Sequence, residues 1–552
     1  MNFFKKFLLY FCIIVGSVVA IVAIVLAVMY FAPGTQVLNY VYLNYNQNRQ
    51  AEFTTGTEIK ITDFEAIEVN SKITPVYFKP CERENTVSYL HKEGLSGFVR
   101  VETSKLYISA SVKEKSYSEE VAGKTYKTLI LDVVEPEGVM ITENKPMLTV
   151  FIPANLKVLS ANNEKGDIGF STINNAATTV VEKFYANSSN GGNIQISNPK
   201  DTTNYYFYTT TGSVDFVAPE IVDASIKLTT DTGKMTFVNE TKTPILKGNL
   251  EVYSFVENKG PTINFGCIYG NVKVISSYIN LQTKQIGTKD AQSSLAITVD
   301  KSEMNLGKVY SRFTLASKKT KNQNKVVLDR LYYDKSTDDH ILDVGSGDVT
   351  IGDVVGALGI DATSGNIAIK NAYNDVKVVT TTGAIYIGYN AEALLDGIIK
   401  DVDGNLTIDT ETGDVVVDNL RGALNVKVSS VKSEGKMEVN ILDIKKDSLI
   451  SAGNRNVSIG IKYDVSIQGG GTGRLLLVNG SAEFGLSAGS HSQIVSGDND
   501  YIDQPKYNTQ YRVGYAKSAS DNVYTNTLYD GTYGKVVIDT TGKTTVNARE
   551  VK

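Results

Sequence analysis

Apolar and polar residues alternate in a short motif that recurs along the chain from about residue 160. Each motif begins with glycine and a small or polar residue, followed by an apolar residue, any residue and a second apolar residue. Strict alternation of this kind indicates a β-strand with one buried face. The first series of motifs begins at Gly166, Gly192, Gly212, Gly233, Gly248 and Gly270, and the second at Gly347, Gly365, Gly383, Gly404, Gly413 and Gly422.

The spacing of the motifs indicates the kind of repeat. Successive glycines are 26, 20, 21, 15 and 22 residues apart in the first series, and 18, 18, 21, 9 and 9 in the second. Immunoglobulin-like domains repeat at about 100 residues and propeller blades at about 40 or more, whereas about 20 residues suit one rung of two or three short strands. We therefore predict an all-β ectodomain, a parallel β-helix or β-solenoid whose stacked rungs bury a shared apolar column. A stack of antiparallel hairpins with Thr-Gly turns is the alternative, because periodicity does not fix strand pairing.

The glycines are expected to serve tight corners, through either a positive φ or a close approach of two backbones. Asp167, Asp348 and Asp414 follow three of them and raise the question of calcium, which prefers several oxygen ligands. The Gly-Gly-x-Gly-x-Asp nonapeptide that builds calcium sites in β-helices is missing, and the glycine run at residues 469–473 has no aspartate. We therefore expect these side chains to hydrogen-bond their own turn backbone.

The regularity of the repeat varies and divides the chain. Residues 57–300 are interpreted as an N-terminal β-cap and a first solenoid segment, because a solenoid needs its end strands covered. Residues 301–340 interrupt the glycine rhythm and are predicted to be a polar connection. Residues 341–498 would then form a second solenoid segment, and residues 499–552 a C-terminal cap, because residues 499–534 are rich in Asp, Asn and Tyr.

An uncharged apolar stretch near the N-terminus predicts a membrane anchor. As a helix rising about 1.5 Å per residue it would be roughly 39 Å long, enough to cross the ~30 Å hydrocarbon core with tilt. Lys5 and Lys6 precede it and no further charge occurs before Arg49, so the positive-inside rule predicts a cytoplasmic N-terminus. A cleaved signal peptide is the alternative, but the apolar run exceeds a 7–15-residue h-region. The predicted segments are a cytoplasmic tail (1–6), a single-pass transmembrane helix (7–32) and a juxtamembrane stalk (33–56) at the start of an extracytoplasmic domain.

Composition and charge agree with a folded, strand-rich chain. Hydrophobic residues make up 42% and charged residues 21%, and Tyr (31) far exceeds Pro (11). The net charge of −5 lacks the basic excess that nucleic-acid binding requires. Cys12 lies in the apolar stretch, and Cys81 and Cys267 show no metal-site or redox spacing. Two unpaired thiols are expected, with a Cys81–Cys267 disulfide as the alternative.

Several short motifs link the chain to a known family. They are the Ile67-Glu68-Val69 strand, the run MLTVFIP at residues 147–153, the Gly166-Asp167-Ile168 turn, and Thr363-Ser364-Gly365-Asn366-Ile367. With these motifs the chain resembles the bacterial DUF4097 family of adhesin-like, β-helical envelope proteins over about two-thirds of its length. The resemblance implies a β-solenoid fold and an envelope location, and it carries over no catalytic residue.

A search for catalytic chemistry finds one local cluster. β-Helical polysaccharide lyases and hydrolases use clustered aspartates beside Arg, Lys or His, and Asp338, Asp339 and His340 are the best such group. We interpret it as part of a solvated charged linker, because catalysis needs converging groups rather than adjacent ones. His91 and His491 have no evident partners in the sequence. No catalytic residue, cofactor or metal site is predicted.

The leading hypothesis is a non-enzymatic, membrane-anchored surface protein whose rigid β-face binds a glycan, cell-wall or protein ligand, as an adhesin or envelope-interaction protein. Outward tyrosines such as Tyr386 are candidates for stacking on sugars or peptides. The alternative is an accessory or sensor protein of an envelope-stress signalling system, in which a signal passes through a partner's membrane helix. A polysaccharide-active enzyme that depends on Asp338 or Asp339 is the third hypothesis.

Overall fold

The chain forms parallel β-solenoid structure, as a computed structural model shows. The structure describes residues 15–22, 64–81, 107–117, 124–134, 147–174, 177–199, 203–217, 221–239, 242–317, 322–333, 340–389, 404–420 and 422–429, together with the other strands given below. It divides into two compact units, Met1–Ser225 and Ile226–Lys552. The units contain about 11 solenoid turns in all. The predicted parallel β-solenoid is therefore confirmed, and the stack of antiparallel hairpins is wrong.

The described residues contain one short helix, over residues 15–22. Within the described part of the chain, no helix is long and apolar enough to span a membrane. Residues 7–14 and 23–32 of the predicted anchor lie outside the described residues, as do the predicted tail and most of the stalk. The membrane anchor stays a prediction from the sequence.

The N-terminal unit is built almost entirely of strands. They are β1 (Phe53–Thr55), β2 (Ile59–Lys60), β3 (Ala66–Ser71), β4 (Val76–Pro80), β5 (Thr86–Lys92), β6 (Tyr107–Lys115), β7 (Tyr126–Val134), β8 (Met147–Ile152), β9 (Asn155–Asn163), β10 (Ile168–Ser171), β11 (Ile173–Asn174), β12 (Ala177–Thr178), β13 (Val180–Ser188), β14 (Ile194–Ser197), β15 (Asn204–Thr209), β16 (Val214–Val217) and β17 (Ile221–Val222). The short strands β11 and β12 form a separate antiparallel pair.

Two parallel ladders organise the N-terminal unit. Ladder A has the strand order β7, β3, β9, β13, β15, and ladder B the order β8, β4, β10, β14, β16. The register aligns equivalent apolar positions on successive rungs, and burying each such side chain contributes about 1.5–3 kcal/mol. In ladder B the aligned, buried sets are Ile168, Ile194 and Val214, and Phe170, Ile196 and Phe216.

The first rung in the sequence is not the outermost rung. Strands β3 and β4 lie between the rung of β7 and β8 and the rung of β9 and β10. The outer edges of β7 and β8 pair antiparallel with β6 and β5, and β1 and β2 pair with β5. These antiparallel strands act as the cap of the unit, because they occupy edges that would otherwise pair with another chain.

The C-terminal unit continues the same construction. Its strands are β18 (Ile226–Thr230), β19 (Lys234–Val238), β20 (Ile245–Leu246), β21 (Leu250–Tyr253), β22 (Thr262–Ile268), β23 (Val272–Ile286), β24 (Ser293–Val309), β25 (Ser311–Ala316), β26 (Gln323–Tyr332), β27 (His340–Gly345), β28 (Val349–Val355), β29 (Leu358–Ala362), β30 (Ile367–Ala372), β31 (Val376–Thr380), β32 (Ile385–Tyr389), β33 (Leu394–Leu395), β34 (Ile398–Ile399), β35 (Leu406–Thr410), β36 (Val415–Asp418), β37 (Leu424–Val428), β38 (Met437–Leu442), β39 (Ser448–Gly453), β40 (Val457–Tyr463), β41 (Gly473–Val478), β42 (Ser481–Gly485), β43 (Ser492–Val495), β44 (Tyr515–Lys517), β45 (Val523–Asn526), β46 (Lys535–Thr540) and β47 (Lys543–Glu550).

Each regular rung of this unit has two strands. Ladder C runs through β27, β29, β31, β35 and β37, and ladder D through β28, β30, β32 and β36. Gly404, Gly413 and Gly422 precede β35, β36 and β37 in turn. The glycine spacing of 9 residues therefore corresponds to one strand with its turn, and two such spacings, 18 residues, make one rung.

The prediction that residues 301–340 form a polar connection is wrong. Strands β24 and β26 pass through this range, where Leu306 pairs in register with Leu328, and Leu328 with Ile351. All three side chains are buried. Within β24 and β26 the charged residues lie outward between buried apolar residues, so the strand pattern continues without a glycine at its start.

The end of the C-terminal unit repeats the topology of the start of the chain. Strands β46 and β47 lie between the rung of β39 and β40 and the rung of β41 and β42. Strand β43 then pairs antiparallel with β45. Of the residues predicted to be a C-terminal cap, β46 and β47 thus belong to the parallel ladders. As with β3 and β4 in the N-terminal unit, β46 and β47 therefore have a parallel neighbour on each side.

The recurring glycines stack on one another. An added Cβ at Gly192, Gly365 or Gly422 would overlap the carbonyl oxygen of the glycine one rung earlier, which is Gly166, Gly347 or Gly404. Of the glycines that begin the motifs, only Gly383 has a positive φ, of 112°. Close approach of backbones, more than a left-handed conformation, is therefore the reason for glycine at these corners.

Substitution of Gly365 by Ala tests this explanation. The new methyl group meets backbone rather than a flexible side chain, so we expect Gly365→Ala to lower the unfolding free energy by about 1–3 kcal/mol. The matched control is Gly359→Ala, where the nearest atom to the added Cβ is the His340 carbonyl oxygen at 3.7 Å. Urea unfolding midpoints of the two variants should differ clearly, and equal midpoints would contradict the stacking argument.

Candidate functional site

The aspartates of the Gly-Asp turns bind neighbouring rungs. Asp167 Oδ1 accepts a hydrogen bond of 2.8 Å from the Asn193 amide, and Asp348 Oδ1 accepts one of 2.8 Å from the Asn366 amide. Asn366 Oδ1 in turn accepts from the Ala384 amide at 3.0 Å. The expectation that these side chains hydrogen-bond their own turn is therefore wrong for Asp167 and Asp348, because each carboxylate accepts a hydrogen bond from the backbone of the next rung.

No metal-ligand set is present in the part of the chain that the structure describes, where no three His, Cys, Asp or Glu side chains are grouped to hold an ion. Cys81 and Cys267, both half-buried, are unpaired thiols, as expected. Burial raises the pKa of Cys267, which disfavours its reactive thiolate form. Cys12, Asp338, Asp339 and His491 lie outside the described residues, and of His91 only its place in β5 is described.

His340 is a core residue, so the interpretation of this residue as part of a solvated charged linker is wrong. It is fully buried, aligned with Leu358 of the next rung, and its Nδ1 accepts a hydrogen bond of 3.1 Å from the Phe313 amide. Burial lowers the pKa of His340 to about 4, against an opposing effect of the Val355 backbone. The imidazole is therefore neutral at pH 7 with its proton on Nε2. A neutral ring inside the solenoid is not available as a catalytic acid at the surface.

The buried imidazole predicts a loss of stability in acid. Its pKa is about 6.5 unfolded and about 4 folded, so the unfolded chain binds more protons between these values. The unfolding free energy should therefore be highest above pH 6.5 and fall, from this group, by roughly 3 kcal/mol as the pH drops to 4. In His340→Leu this part of the pH dependence should disappear, although the variant also loses the acceptor for the Phe313 amide. Urea unfolding at several pH values measures the slope, and an unchanged slope in the variant would contradict the assignment.

Tyr386 lies outward, as the alternation predicted. Its side chain is 40% exposed, and its register neighbours in ladder D are Ala368 and Val416. The hydroxyl donates a hydrogen bond of 2.7 Å to Asp418 Oδ2. This hydrogen bond, more than burial, raises the pKa of Tyr386. The ring is therefore held at the surface in one orientation.

The outer face of ladder A is partly covered by a second layer. Tyr117, two residues beyond the end of β6, packs over Ala66 and Val158, which point outward from β3 and β9 yet are fully buried. The Tyr117 hydroxyl lies 3.4 Å from Thr128 Oγ1, and burial raises the pKa of Tyr117 to about 12. We call residues 107–117 the strap.

A buried ion pair fastens the strap. Lys115 of the strap binds Glu68 of β3, whose side chain is only 3% exposed. The second carboxylate oxygen of Glu68 is buried and accepts no hydrogen bond from the described residues. Glu68 therefore depends on Lys115 for compensation of its charge.

Where the strap ends, three tyrosines form a continuous stack. The Tyr117 ring lies 5.2 Å from that of Tyr185, and the Tyr185 ring lies 4.6 Å from that of Tyr206, with interplanar angles of 18° and 12°. Tyr185 and Tyr206 occupy the same register position on β13 and β15, where β9 has Ser160. The strap thus supplies the ring that the β9 rung lacks.

A second outward row runs beside this stack. It consists of one residue from each of five successive rungs: Asp132, Asn70, Asn162, Asn187 and Tyr208. Asn162 donates a hydrogen bond of 2.9 Å to Asn70, and Asn70 donates one of 2.7 Å to Asp132. Tyr208 closes the row and is 42% exposed. We call these five residues the amide row.

The amide row and the tyrosine stack are the candidate site, and the sequence reasoning missed both. The signal lay in KFYANS at residues 183–188 and NYYFYT at residues 204–209, which are 21 residues apart. Their alternation shows an outward Tyr followed by an outward Asn or Tyr, but the spacing alone does not show that the rings stack. No protein-family model, curated protein or solved structure matches this chain. The resemblance to the DUF4097 family therefore stays a prediction from short motifs.

Removal of the strap's lysine tests the dependence of Glu68 on its partner. We expect Lys115→Met to lower the unfolding free energy by about 2 kcal/mol, less than for a fully buried pair because the Lys115 side chain is 37% exposed. The double variant Lys115→Met with Glu68→Gln should recover part of this loss. The control is Lys157→Met, whose partner Glu65 is 45% exposed, and which should change stability little. Equal effects of the two lysine substitutions would contradict the proposed role of Lys115.

Proposed function

We propose that this chain is a membrane-anchored, extracytoplasmic β-solenoid that presents a rigid face to an envelope ligand, as a non-enzymatic adhesin or envelope-interaction protein. The observation that carries the proposal is that outward side chains are fixed by neighbours on adjacent rungs. Asn70 and Asn162 are hydrogen-bonded in a row, Tyr185 and Tyr206 are stacked, and Tyr386 is bound to Asp418.

A surface fixed in this way is suited to binding. Association costs about 0.5–1.5 kcal/mol for each flexible side chain that must be ordered, and side chains already held in one orientation reduce that cost. The parallel ladders add to the effect, because each inner strand is hydrogen-bonded on both sides and its outward residues keep a fixed spacing. A solenoid therefore offers a long, preorganised surface rather than a single cleft.

The location rests on the sequence. The uncharged stretch at residues 7–32, preceded by two lysines, supports a single-pass anchor with the large C-terminal domain outside. The DUF4097 resemblance supports the same placement. The mild net charge of −5 supports ligands other than nucleic acids.

The burial of His340 supports a binding function over a polysaccharide-active enzyme. A catalytic group of Asp338, Asp339 and His340 would need the imidazole at the surface beside the two carboxylates. His340 is instead enclosed in the core and already bound to the Phe313 amide. The enzyme hypothesis therefore loses the imidazole of that cluster, and it would have to rest on Asp338 and Asp339 alone.

Retention on envelope material tests the proposed function. The full chain, solubilised in detergent, should be retained on isolated envelope fragments well above an unrelated parallel β-helix protein of similar charge. Cell fractionation should place it in the membrane pellet, and a C-terminal tag should be reachable from outside in intact spheroplasts. Retention equal to that of the unrelated protein would refute the binding function, and a tag reachable only after lysis would refute the location.

A further inference from the structure

The amide row carries little charge, whereas the neighbouring register row, which holds the tyrosine stack, also contains Glu68 with its partner Lys115. In the amide row Asn70, Asn162 and Asn187 contribute amides, Tyr208 contributes a ring, and only Asp132 at one end carries a charge. Amides both donate and accept hydrogen bonds, and tyrosine combines an apolar ring with a hydroxyl group. An anionic ligand would find no cation in the row, whereas hydroxyl groups and apolar C–H faces would find partners.

The row is also periodic. Its five residues come from five neighbouring strands, so they are spaced by the strand separation of about 4.8 Å and extend over roughly 19 Å. An extended, linear polysaccharide laid along the row meets the three asparagines and the Tyr208 ring together, whereas a single sugar unit reaches only part of the row. A small ligand gains nothing from such repetition. The periodicity therefore favours a polymer.

The exposed end of the row is Tyr208. Its register neighbour on the preceding rung is Asn187, so the chain of amide hydrogen bonds that joins Asn162, Asn70 and Asp132 has no amide with which to continue. The Tyr208 ring, 42% exposed, is therefore the group at this end of the row that a ligand can contact.

We propose that the amide row and Tyr208 bind a neutral, linear polysaccharide. The polymer lies along the row, its C–H faces contact the Tyr208 ring, and its hydroxyl groups hydrogen-bond to the asparagine amides. The stack of Tyr117, Tyr185 and Tyr206 supports the site from one side, because it keeps the Tyr206 ring fixed next to Tyr208. The proposal deepens the proposed function and rests on it.

Binding to insoluble polysaccharides tests the site. The probes are chitin and cellulose, both neutral, with an anionic pectate as comparator, and the full detergent-solubilised chain is measured by depletion from solution. The wild type should bind at least one neutral polymer more tightly than pectate. Tyr208→Ala and Asn187→Ala should each weaken binding about tenfold, as expected for the loss of one aromatic or hydrogen-bonding contact in a small site.

The control is Phe255→Ala, which removes an exposed aromatic side chain, 73% against 42% for Tyr208, from a position outside the amide row. It should leave binding within about twofold of the wild type, and far-UV circular dichroism should show that all variants keep their strands. Equal losses in Tyr208→Ala and Phe255→Ala would overturn the assignment of the site.

The remaining outcomes separate this proposal from the general function. Retention on envelope fragments without binding to either neutral polymer, or retention abolished by protease treatment of the fragments, would overturn the polysaccharide proposal and leave the binding function standing. Stronger binding to pectate than to chitin and cellulose would also overturn it. Failure to bind envelope fragments as well would refute both.

Discussion

The structure depends on the in-register stacking of rungs about 4.8 Å apart. This spacing leaves no room for a Cβ where corners meet, so Gly365 lies over Gly347 and Gly422 over Gly404. It also brings the side chain of Asp348 to the Asn366 amide and that of Asn366 to the Ala384 amide. The same spacing aligns apolar residues into columns that are buried from solvent. One geometric constraint therefore selects glycine at corners, Asp or Asn beside them, and alternating apolar residues within strands.

The end rungs of such a structure need another pairing partner, because the last rung has no further rung on which to stack. In the N-terminal unit β3 and β4 lie one rung inside, with the later strands β7 and β8 as the outer rung; in the C-terminal unit β46 and β47 lie one rung inside, with the earlier strands β41 and β42 beyond them. In the N-terminal unit antiparallel strands then occupy the outer edges. This arrangement protects those edges from pairing with other chains.

Stacking acts on the outward side chains as well as on the core. Residues that are 21 or more positions apart in the sequence become neighbours, so that Tyr185 meets Tyr206 and Asn162 meets Asn70. Because these outward side chains contact side chains of the next rung, they are already ordered before a ligand binds. The strap, held by Lys115 and Glu68, extends this order by placing Tyr117 where the β9 rung has only Ser160. The proposed binding face follows from the same repeat that stabilises the fold.

The sequence by itself determined the strands, their buried faces and the solenoid class, because alternation and a period near 20 are local properties that survive without knowledge of partners. It also placed Tyr386 outward. It did not reveal that β24 and β26, which occupy much of residues 301–340, continue the ladders, since their inward residues, such as Leu306 and Leu328, are recognisable only once the register is known. Nor did it show that His340 is buried, because a polar residue next to two aspartates resembles a linker. The amide row, the tyrosine stack and the inserted end strands were decided by the tertiary structure alone, because turns of unequal length separate residues that the parallel register brings together.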